Sequence, residues 1–591
     1  MESKWVVYGK KADFKDIGRK FNIDQVTARV IRNRDIIGDD AIGGYLNGTL
    51  SNTHNPALMA DMDKGCQIIR DKILEEKHIR IISDYDVDGV MSNYILLKGL
   101  MEAGANVSYE IPDRMQDGYG INERIIRDAY DAGVDTIITC DNGIAAFSAI
   151  ELGKALGMTI VVTDHHEVPY EVNSQGKKNA LLVPADAVID IKRADCDYPY
   201  KELCGAGVAY KFIRHLYKIM GLAWDDDSKY LEILAIATQC DVMELTDENR
   251  IYVREGLKLL PNTANFGLQA LLEVNQLKGK PLYSYHLGFV IGPCINATGR
   301  LESAKRGLEL LLCDNKEEAL ALAEELKELN ITRKEMTNKG VEEAIAIVNL
   351  SERVDNVLVI YMPGLHESLA GIVAGRIREN FYRPVFVITD GEGDMVKGSG
   401  RSIEGYHMFD ALTECKDLLT KFGGHELAAG FSLEKRNLEA FRERLLKKQR
   451  LTEEELTPVV RIDVPMPINY ITSRLVEELA LLEPFGKGNE KPVFAQAGLG
   501  IKSARLMGAE GRFIKIFFQD ENGFVMEGVD FNANKFLDCI KMWFSDEECD
   551  KMLKGLPNSI KIDVAYYPDV NEYNGRCTLQ IKPVLYRKSQ S

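Results

Sequence analysis

Acidic and histidine side chains directly follow three short apolar runs in the first third of the chain. The runs 78–83, 136–140 and 159–163 lead into the motifs Asp84-Tyr85-Asp86-Val87-Asp88-Gly89, Asp141-Asn142-Gly143 and Asp164-His165-His166. Carboxylate oxygens combined with imidazole nitrogen suit Mn²⁺ or Mg²⁺ better than structural zinc. Two such ions, about 3.5–4 Å apart, would activate a water molecule and stabilise charge on a phosphoryl group. These residues therefore predict a divalent-metal site for phosphoryl chemistry.

The three apolar runs also predict how these side chains are positioned. Their β-branched residues are typical of buried strands, and the stretches between them predict helices. Strands that alternate with helices form a parallel sheet, and open α/β sheets bind ligands at the carboxyl ends of their strands. The three motifs should therefore meet at one sheet edge, where cations would offset the repulsion among the carboxylates.

The first motif has two interpretations. If the strand stays extended, its period-two spacing places Asp84, Asp86 and Asp88 on one face, with Gly89 turning the chain into a helix that begins near Met91. Alternatively, the motif is an acidic loop that caps a helix N-terminus. For this motif alone, helix capping is favoured over a metal site. The acidic residues at the ends of the two other strands reverse that preference in favour of a metal site.

The remaining candidate ligands lie farther along the chain. Asp141 can bridge two cations because a carboxylate has two oxygens, and Asp241 closes the set from the end of a predicted helix. Either His165 or His166 supplies nitrogen. Since successive side chains point in opposite directions, one histidine should bind metal while the other donates a proton or contacts phosphate.

Composition restricts the class of protein. A chain of 591 residues with 45% hydrophobic and 28% charged residues should form several soluble globular domains. The eleven cysteines are scattered without a CxxC pair, which indicates reduced thiols and a cytoplasmic location. The first residues lack a secretory signal layout, and we find no apolar run long enough to span a bilayer. The net charge of −17 argues against a generally basic nucleic-acid-coating surface but permits a local basic groove.

The sequence pattern changes several times and predicts an α/β protein with a β-rich end. We expect a leading segment packed on the first α/β domain, that domain with a parallel sheet, a long charged connecting helix, a second α/β domain, and a small β-barrel or sandwich. Their expected bounds are 1–75, 76–315, 316–350, 351–453 and 454–591. A further strand is expected at Leu181-Leu182-Val183-Pro184.

These motifs resemble those of the DHH phosphoesterase superfamily and, more narrowly, the RecJ family of bacterial exonucleases. The resemblance extends over most of the chain. It includes the following further segments: Ile111-Pro112-Asp113-Arg114, Ala237-Thr238-Gln239-Cys240-Asp241-Val242, Gly292-Pro293-Cys294-Ile295-Asn296-Ala297-Thr298-Gly299-Arg300-Leu301, Gly398-Ser399-Gly400-Arg401-Ser402, Gly423-Gly424-His425 and Glu483-Pro484-Phe485-Gly486. It implies a DHH domain, a DHHA1 domain and a C-terminal OB-fold.

The resemblance also implies residue roles. The metal ligands would be Asp86, Asp88, Asp141, His165 and Asp241, with Asp84 as a ligand or a support. His166, with Asp164 and Asp141, would take part in catalysis by contacting the scissile phosphate or assisting the leaving group. The residues that would hold substrate phosphates are Arg114, Asn296, Arg300, Ser399, Arg401, Gly424 and His425. Arginine suits this role because its planar fork pairs with phosphate oxygens in two places.

The implied function is a nuclease that needs Mn²⁺ or Mg²⁺, with two ions, and degrades single-stranded DNA from the 5′ end to mononucleotides in repair and recombination. A RecQ-type helicase and a single-strand-binding protein are the expected partners. One alternative is a DHH phosphodiesterase acting on short oligoribonucleotides or cyclic dinucleotides, and the length and extra barrel argue against it. The other is a non-catalytic DHH scaffold, which the complete set of proposed ligands argues against.

Overall fold

The computed structural model describes residues 3–113, 120–173, 177–224, 226–350, 354–508, 511–573 and 576–590. The chain divides into two compact units, one of residues 49–456 and one that combines residues 1–48 with residues 457–591. Among the described residues, no helix is both long and apolar enough to cross a bilayer.

The strands and helices are numbered in chain order. The strands are β1 Lys4–Val7, β2 His78–Ser83, β3 Asn106–Glu110, β4 Thr136–Cys140, β5 Thr159–Asp164, β6 Tyr170–Val172, β7 Lys178–Ala180, β8 Ala187–Asp190, β9 Leu358–Tyr361, β10 Val385–Asp390, β11 Met395–Arg401, β12 Leu419–Gly424, β13 Ala428–Glu434, β14 Val459–Ile462, β15 Val464–Pro465, β16 Phe494–Met507, β17 Phe513–Gln519, β18 Val525–Asp530, β19 Lys561–Tyr573 and β20 Arg576–Lys588. The helices are α1 Phe14–Phe21, α2 Gln25–Asn33, α3 Asp39–Asn47, α4 Met62–Leu74, α5 Val87–Glu102, α6 Glu123–Asp131, α7 Phe147–Ala155, α8 Gly205–Met220, α9 Leu231–Cys240, α10 Asp247–Leu259, α11 Phe266–Val274, α12 Ser284–His286, α13 Gly292–Leu301, α14 Lys305–Leu312, α15 Lys316–Asn349, α16 Ala370–Phe381, α17 Met408–Thr413, α18 Leu438–Lys448, α19 Ser473–Ala480, α20 Ala533–Trp543 and α21 Asp546–Leu553.

The first sheet is parallel, with the strand order β3-β2-β4-β5-β8. Its central strands are buried on both faces because apolar side chains alternate between two cores. Ile81 and Ile138 pack in the core that contains α5 and α8, whereas Ile82 and Ile137 pack in the core that contains α6 and α7. The three predicted strands are confirmed, and their carboxyl ends meet at one edge.

One expectation about this part of the chain is wrong, and a second holds for only part of its residues. The fifth strand is β8 rather than the predicted Leu181–Pro184 segment, because proline has no amide to donate to a ladder whereas Ala187-Val188-Ile189 is fully buried. Of the leading segment expected at 1–75, residues 49–75 belong to the unit that holds this sheet, where α4 contacts α8 and β8, whereas residues 1–48 do not. They belong to the C-terminal unit, where β1 pairs in parallel with β14.

The long charged helix α15 begins after Asn315, whose side chain accepts hydrogen bonds from the amides of Glu317 and Glu318. One part of α15 contacts α11 and α13, and another contacts α16 and β9. It therefore joins two α/β regions within the same compact unit. The second region has a five-stranded sheet of order β12-β13-β11-β10-β9, in which β9 and β10 are parallel and the other pairs are antiparallel.

The C-terminal strands form a closed barrel. β16, β17, β18, β20 and β19 pair in that order, and β16 also pairs with β19, which closes the sheet on itself. The described residues thus confirm the predicted two α/β regions and small barrel, and they show that the barrel has five strands. The expected turn at Asn574-Gly575 lies outside the described residues.

Candidate metal centre

The acidic loop, residues 84–86, connects β2 to α5. The three aspartates would share one face only in an extended strand, and this condition is not met, because β2 ends at Ser83 and α5 already begins at Val87. The Asp86 side chain caps α5 and accepts a hydrogen bond from the amide of Gly89 at 3.1 Å. Helix capping and membership of an acidic site are therefore compatible at this residue.

Asp88 lies in the first turn of α5 and faces the N-terminus of α8. Its two carboxylate oxygens accept hydrogen bonds from the amides of Gly205 at 2.6 Å and Ala206 at 2.9 Å. The partial positive charge of a helix N-terminus favours a carboxylate there. Gly205 also lets α8 approach Asp141, since a β-carbon at position 205 would lie 2.6 Å from the Asp141 β-carbon.

His165 brings three carboxylates from separate segments together. Its Nε2 atom lies 3.0 Å from Asp141 Oδ1, 3.6 Å from Asp88 Oδ2 and 3.7 Å from Asp241 Oδ2. Asp141 turns away from β4 in a left-handed conformation, with φ of 59°. Asp241 follows the last residue of α9 and remains a quarter exposed. The carboxyl ends of β2, β4 and β5 and the end of α9 thus converge.

The six side chains of this acidic cluster form two adjoining groups: Asp88, His165 and Asp241 in one, and Asp84, Asp86 and Asp141 in the other. Within each group, one potential ligand atom per residue lies within 4.8 Å of the others. Asp141 also forms such a group with His165 and His166, which links the two sides. The arrangement can hold two neighbouring cations.

The electrostatics of the cluster favour cations. Burial, followed by repulsion from the other carboxylates, raises the pKa of Asp141 and Asp241 well above the usual range, and burial likewise raises the pKa of Asp84 and Asp88. Burial lowers the pKa of His165 to about 4, which keeps its imidazole neutral and able to bind metal. Among the described residues, Asp84 Oδ1 and His165 Nδ1 have no hydrogen-bond partner. This oxygen-rich set with one imidazole nitrogen fits Mn²⁺ or Mg²⁺.

Asp164 holds His166 rather than joining the acidic cluster. Its Oδ1 atom accepts hydrogen bonds from both histidine amides and from His166 Nδ1, the last at 2.7 Å, while Oδ2 accepts from the amide of Ile144. Burial alone would lower the pKa of His166, but the bond to Asp164 raises it to about 9. Its side chain is 42% exposed. The two histidines therefore differ, with His165 neutral and buried and His166 cationic and accessible.

The expected phosphate-binding residues lie in two places. Asn296 and Arg300 are one turn apart on α13, and Arg300 Nη1 donates to the Ser368 carbonyl at 2.7 Å. Arg114 lies outside the described residues. Ser399, Arg401, Gly424 and His425 lie on or beside β11 and β12, which flank β13 in the second sheet.

A cavity of about 190 Å³ connects the acidic loop with this second sheet. Tyr85 contributes one wall, and Ser368, Lys397 and Ser399 are among the residues that line the rest. In the second sheet, Arg401 of β11 pairs with Ala428 of β13, and the next residue of β13, Ala429, pairs with Gly424 of β12. The expected phosphate contacts of the second α/β region are thus neighbours, and one of them lines a cavity next to the acidic loop.

Sequence reasoning missed Asp190, the last residue of β8. It pairs with Asp164 in the sheet, its Oδ2 atom has no hydrogen-bond partner among the described residues, and burial together with the Asp164 charge raises its pKa to about 8. The signal was the apolar run Ala187-Val188-Ile189, which ends in an aspartate as the other strands do. Asp190 therefore extends the row of carboxyl groups along the same sheet edge.

Comparison with known families divides the chain in the same order. Residues 78–238 match the DHH family N-terminal domain, residues 355–450 match the DHHA1 domain, and residues 462–583 match the RecJ OB domain.

Whole-chain comparisons agree with these domain matches. The single-stranded-DNA-specific exonuclease RecJ of Bacillus subtilis is 31% identical over 97% of this chain and 69% of its own length. The Salmonella typhimurium protein of the same name is 33% identical over 88% of this chain and 89% of its own length. The structure of Thermus thermophilus RecJ in complex with Mn²⁺ superposes with a TM-score of 0.81 at 26% identity, covering 100% of this chain and 80% of that one. The same protein in complex with Mg²⁺ gives a TM-score of 0.75 at 25% identity, covering 100% and 79%. Family domains, sequence identity and fold together show that this chain belongs to the RecJ family.

Proposed function

We propose that this chain is a Mn²⁺- or Mg²⁺-dependent exonuclease that hydrolyses single-stranded DNA from the 5′ end and releases mononucleotides, in repair and recombination. The observation that carries the proposal is the meeting of two acidic groups around Asp141 and His165, next to a cationic His166. The relatives that share this chain's domains are named single-stranded-DNA-specific exonucleases, and the Thermus thermophilus structures contain Mn²⁺ or Mg²⁺.

In this proposal, the acidic cluster holds two ions. Asp88, His165 and Asp241 would bind one, Asp84 and Asp86 would bind the other, and Asp141 would serve both. The bound ions would supply a nucleophile from water at neutral pH and would stabilise negative charge on the phosphoryl oxygens. The amides at the start of α8 hold Asp88 in place, so this ligand should need little reorganisation on binding.

The remaining residues would hold the substrate and move a proton. His166, protonated and fixed through Nδ1 by Asp164, presents Nε2 to the phosphate or to the departing oxygen. Arg114, Asn296 and Arg300 would contact phosphates beside the first sheet. Ser399, Arg401, Gly424 and His425 would hold the 5′ end from the second sheet.

Replacing Asp164 by asparagine should lower both the pKa of His166 and kcat. The amide cannot balance the imidazolium charge, so the pKa should fall from about 9 towards its ordinary value. The loss of a positioned general acid should reduce kcat by about a hundredfold or more. Histidine NMR titration of the metal-free protein measures the first effect, and steady-state DNA hydrolysis measures the second. An unchanged His166 titration would show that Asp164 does not hold this ring.

End-labelled strand degradation with Mn²⁺ tests the proposed polarity and substrate. The substrates are 5′-tailed, 3′-tailed and blunt DNA and matched RNA, each in the presence of Mn²⁺ and then of EDTA. We expect loss of the 5′-tailed strand only, with mononucleotide products and no reaction in EDTA. The Asp141→Ala variant provides the matched inactive protein.

The other outcomes of this assay distinguish the alternatives. Equal decay of short RNA would favour a small-substrate phosphodiesterase of the same superfamily. Absence of metal-dependent decay on every strand would favour a non-catalytic scaffold. Preferential loss of the 3′-tailed strand would contradict the proposed polarity while leaving nuclease chemistry in place.

The same proposal assigns bounds and roles to the domains along the chain. A DHH domain at 76–315, a connecting helix at 316–350, a DHHA1 domain at 351–453 and an OB-fold at 454–591 would bind and cut one strand. The OB-fold would hold single-stranded DNA by base stacking and backbone charge. A cytoplasmic location, a RecQ-type helicase that supplies the strand and a single-strand-binding protein that covers it complete the proposal. The eleven scattered cysteines without a CxxC pair support the cytoplasmic location.

A further inference from the structure

An exposed aromatic pair lies on the helical segment that runs past the end of α9. Tyr285 and Phe289 stack with ring centroids 5.2 Å apart and an interplanar angle of 17°. Tyr285 is 62% exposed and Phe289 is 60% exposed, and the nearby Tyr283 is 49% exposed. Large aromatic rings in a globular protein are usually covered, so a stacked pair left open to solvent indicates a binding surface.

The position of the pair ties it to the acidic cluster. The segment from Ser284 contains a π-helical stretch at Leu287–Ile291 and continues as α13. Its Gly292 packs so tightly on Cys240 that a β-carbon there would lie 2.2 Å from the Cys240 sulfur, and Cys240 directly precedes Asp241. π-helical turns within α-helices occur frequently at functional sites.

The spacing along this helix gives the axial distance between the rings and the contact beside Asp241. Phe289 lies three residues and Tyr285 seven residues from Gly292, which corresponds to roughly 5 and 10 Å along the helix axis. At its other end, the helix reaches the acidic loop, where a β-carbon on Gly299 would lie 2.6 Å from the Tyr85 carbonyl oxygen. A strand whose phosphate lies at the acidic cluster therefore has its neighbouring nucleotides within reach of these rings.

We infer that Tyr285 and Phe289 form a stacking platform for a nucleobase of the single strand next to the phosphate being cleaved. The inference rests on the proposed function and adds residues outside the acidic cluster and the proposed phosphate contacts. The open face of the stacked pair has the shape and the π-surface that a base requires, and every base offers such a face whatever the sequence. Because the chain has a net charge of −17, base stacking would add affinity for the DNA strand without requiring an extended positively charged surface.

The test compares ring-removing with ring-keeping variants. Tyr285→Ala and Phe289→Ala remove the platform, whereas Tyr285→Phe and Phe289→Tyr keep its rings. Tyr130→Ala is the matched control, because Tyr130 is 47% exposed on α6. The probe is oligo(dT) with 2-aminopurine at successive positions, added in EDTA so that binding is observed without hydrolysis. Urea unfolding midpoints should agree among all variants, since the substituted rings are exposed.

We expect 2-aminopurine fluorescence to be quenched at one position by the unmodified chain and by the ring-keeping variants. The alanine variants at 285 and 289 should lose that quenching and bind about tenfold more weakly. The slope of log Kd against log salt should stay unchanged, because stacking releases no counterions. With Mn²⁺, KM should rise for base-bearing DNA and stay unchanged for a strand that is abasic at the quenched position.

Wild-type quenching and affinity in both alanine variants would overturn the inference and would leave this face to a protein partner. Equal loss on base-bearing and abasic strands would also overturn it. Quenching without any hydrolysis would refute the proposed nuclease and retain the platform. Hydrolysis without ring-dependent quenching would refute the platform and retain the proposed nuclease. Absence of both binding and hydrolysis would refute both.

Discussion

Replacing Asp141 by asparagine should reduce DNA hydrolysis by about a thousandfold or more, because it removes the carboxylate shared by both proposed ions, whose charge stabilisation amounts to several kcal/mol. The substitution keeps the size of the side chain, and Asp141 lies 3.0 Å from His165 Nε2 at the centre of the cluster. Steady-state kinetics with Mn²⁺ on single-stranded DNA measures the loss. Hydrolysis within tenfold of the unmodified chain would contradict a bridging role.

The same substitution should have the opposite effect on the stability of the metal-free protein. Burial and the neighbouring carboxylates raise the pKa of Asp141 well above its unfolded value, so its ionisation destabilises the folded state increasingly as the pH rises above that unfolded value. In EDTA at pH 8, Asp141→Asn should therefore have a higher Tm than the unmodified chain, and Mn²⁺ should stabilise it less. Asp131→Asn, at the exposed last residue of α6, is the control and should change neither Tm nor kinetics. A lower Tm in EDTA would show that the carboxylate stabilises the metal-free fold.

Replacing Gly89 by alanine should disrupt the acidic loop and lower both stability and activity. A β-carbon at this position would lie 2.2 Å from the Asp84 carbonyl oxygen, and backbone cannot move aside as a flexible side chain can. Forcing the loop and α5 apart should cost about 3 kcal/mol of unfolding free energy, at the upper end of typical overpacking. A displacement of about 1 Å at Asp84 and Asp86 should reduce kcat by about a hundredfold.

Gly375→Ala is the matched control for this substitution. Gly375 lies inside α16, and a β-carbon there would meet no atom within 4 Å. Alanine should stabilise that helix by up to about 1 kcal/mol and leave hydrolysis unchanged. Urea unfolding and Mn²⁺-dependent kinetics of the two variants give the comparison. If Gly89→Ala has the same unfolding free energy and the same rate of DNA hydrolysis as Gly375→Ala, the close contact with the Asp84 backbone is not the reason for glycine at position 89.

Much of the architecture could be predicted from local patterns. The β-branched runs at 78–83, 136–140 and 159–163 became the neighbouring parallel strands that were expected. The breaker-poor charged segment became α15, and the alternating C-terminal strands became a closed barrel. These predictions succeeded because strand and helix periodicity depends on neighbouring residues along the chain.

Where local signals compete, prediction from sequence was less accurate. For the motif that begins at Asp84, an extended strand and a capping loop were both open, and the capping bond between Asp86 and Gly89 starts α5 immediately. The apolar pair Leu181-Leu182 led to the prediction of a strand, but the strand that pairs with β5 is β8. Hydrophobicity alone does not show which segment pairs with the edge of a sheet. The roles of the individual phosphate contacts stay predictions, and Arg114 lies outside the described residues.

The sequence by itself determined which residue types end the strands and therefore that an oxygen-rich metal site is chemically available. Only the tertiary structure decided that Asp88 is held by the start of α8 and that His166 bonds to Asp164 while His165 faces Asp141. It also revealed Asp190 and the exposed pair of Tyr285 and Phe289, and it placed residues 1–48 with the barrel. The physical reason is that strand ends follow from local periodicity. In contrast, the contacts of Asp88 with α8, of His165 with Asp141 and of β1 with β14 depend on long-range packing, and the separation of these segments in sequence carries no signal of contact.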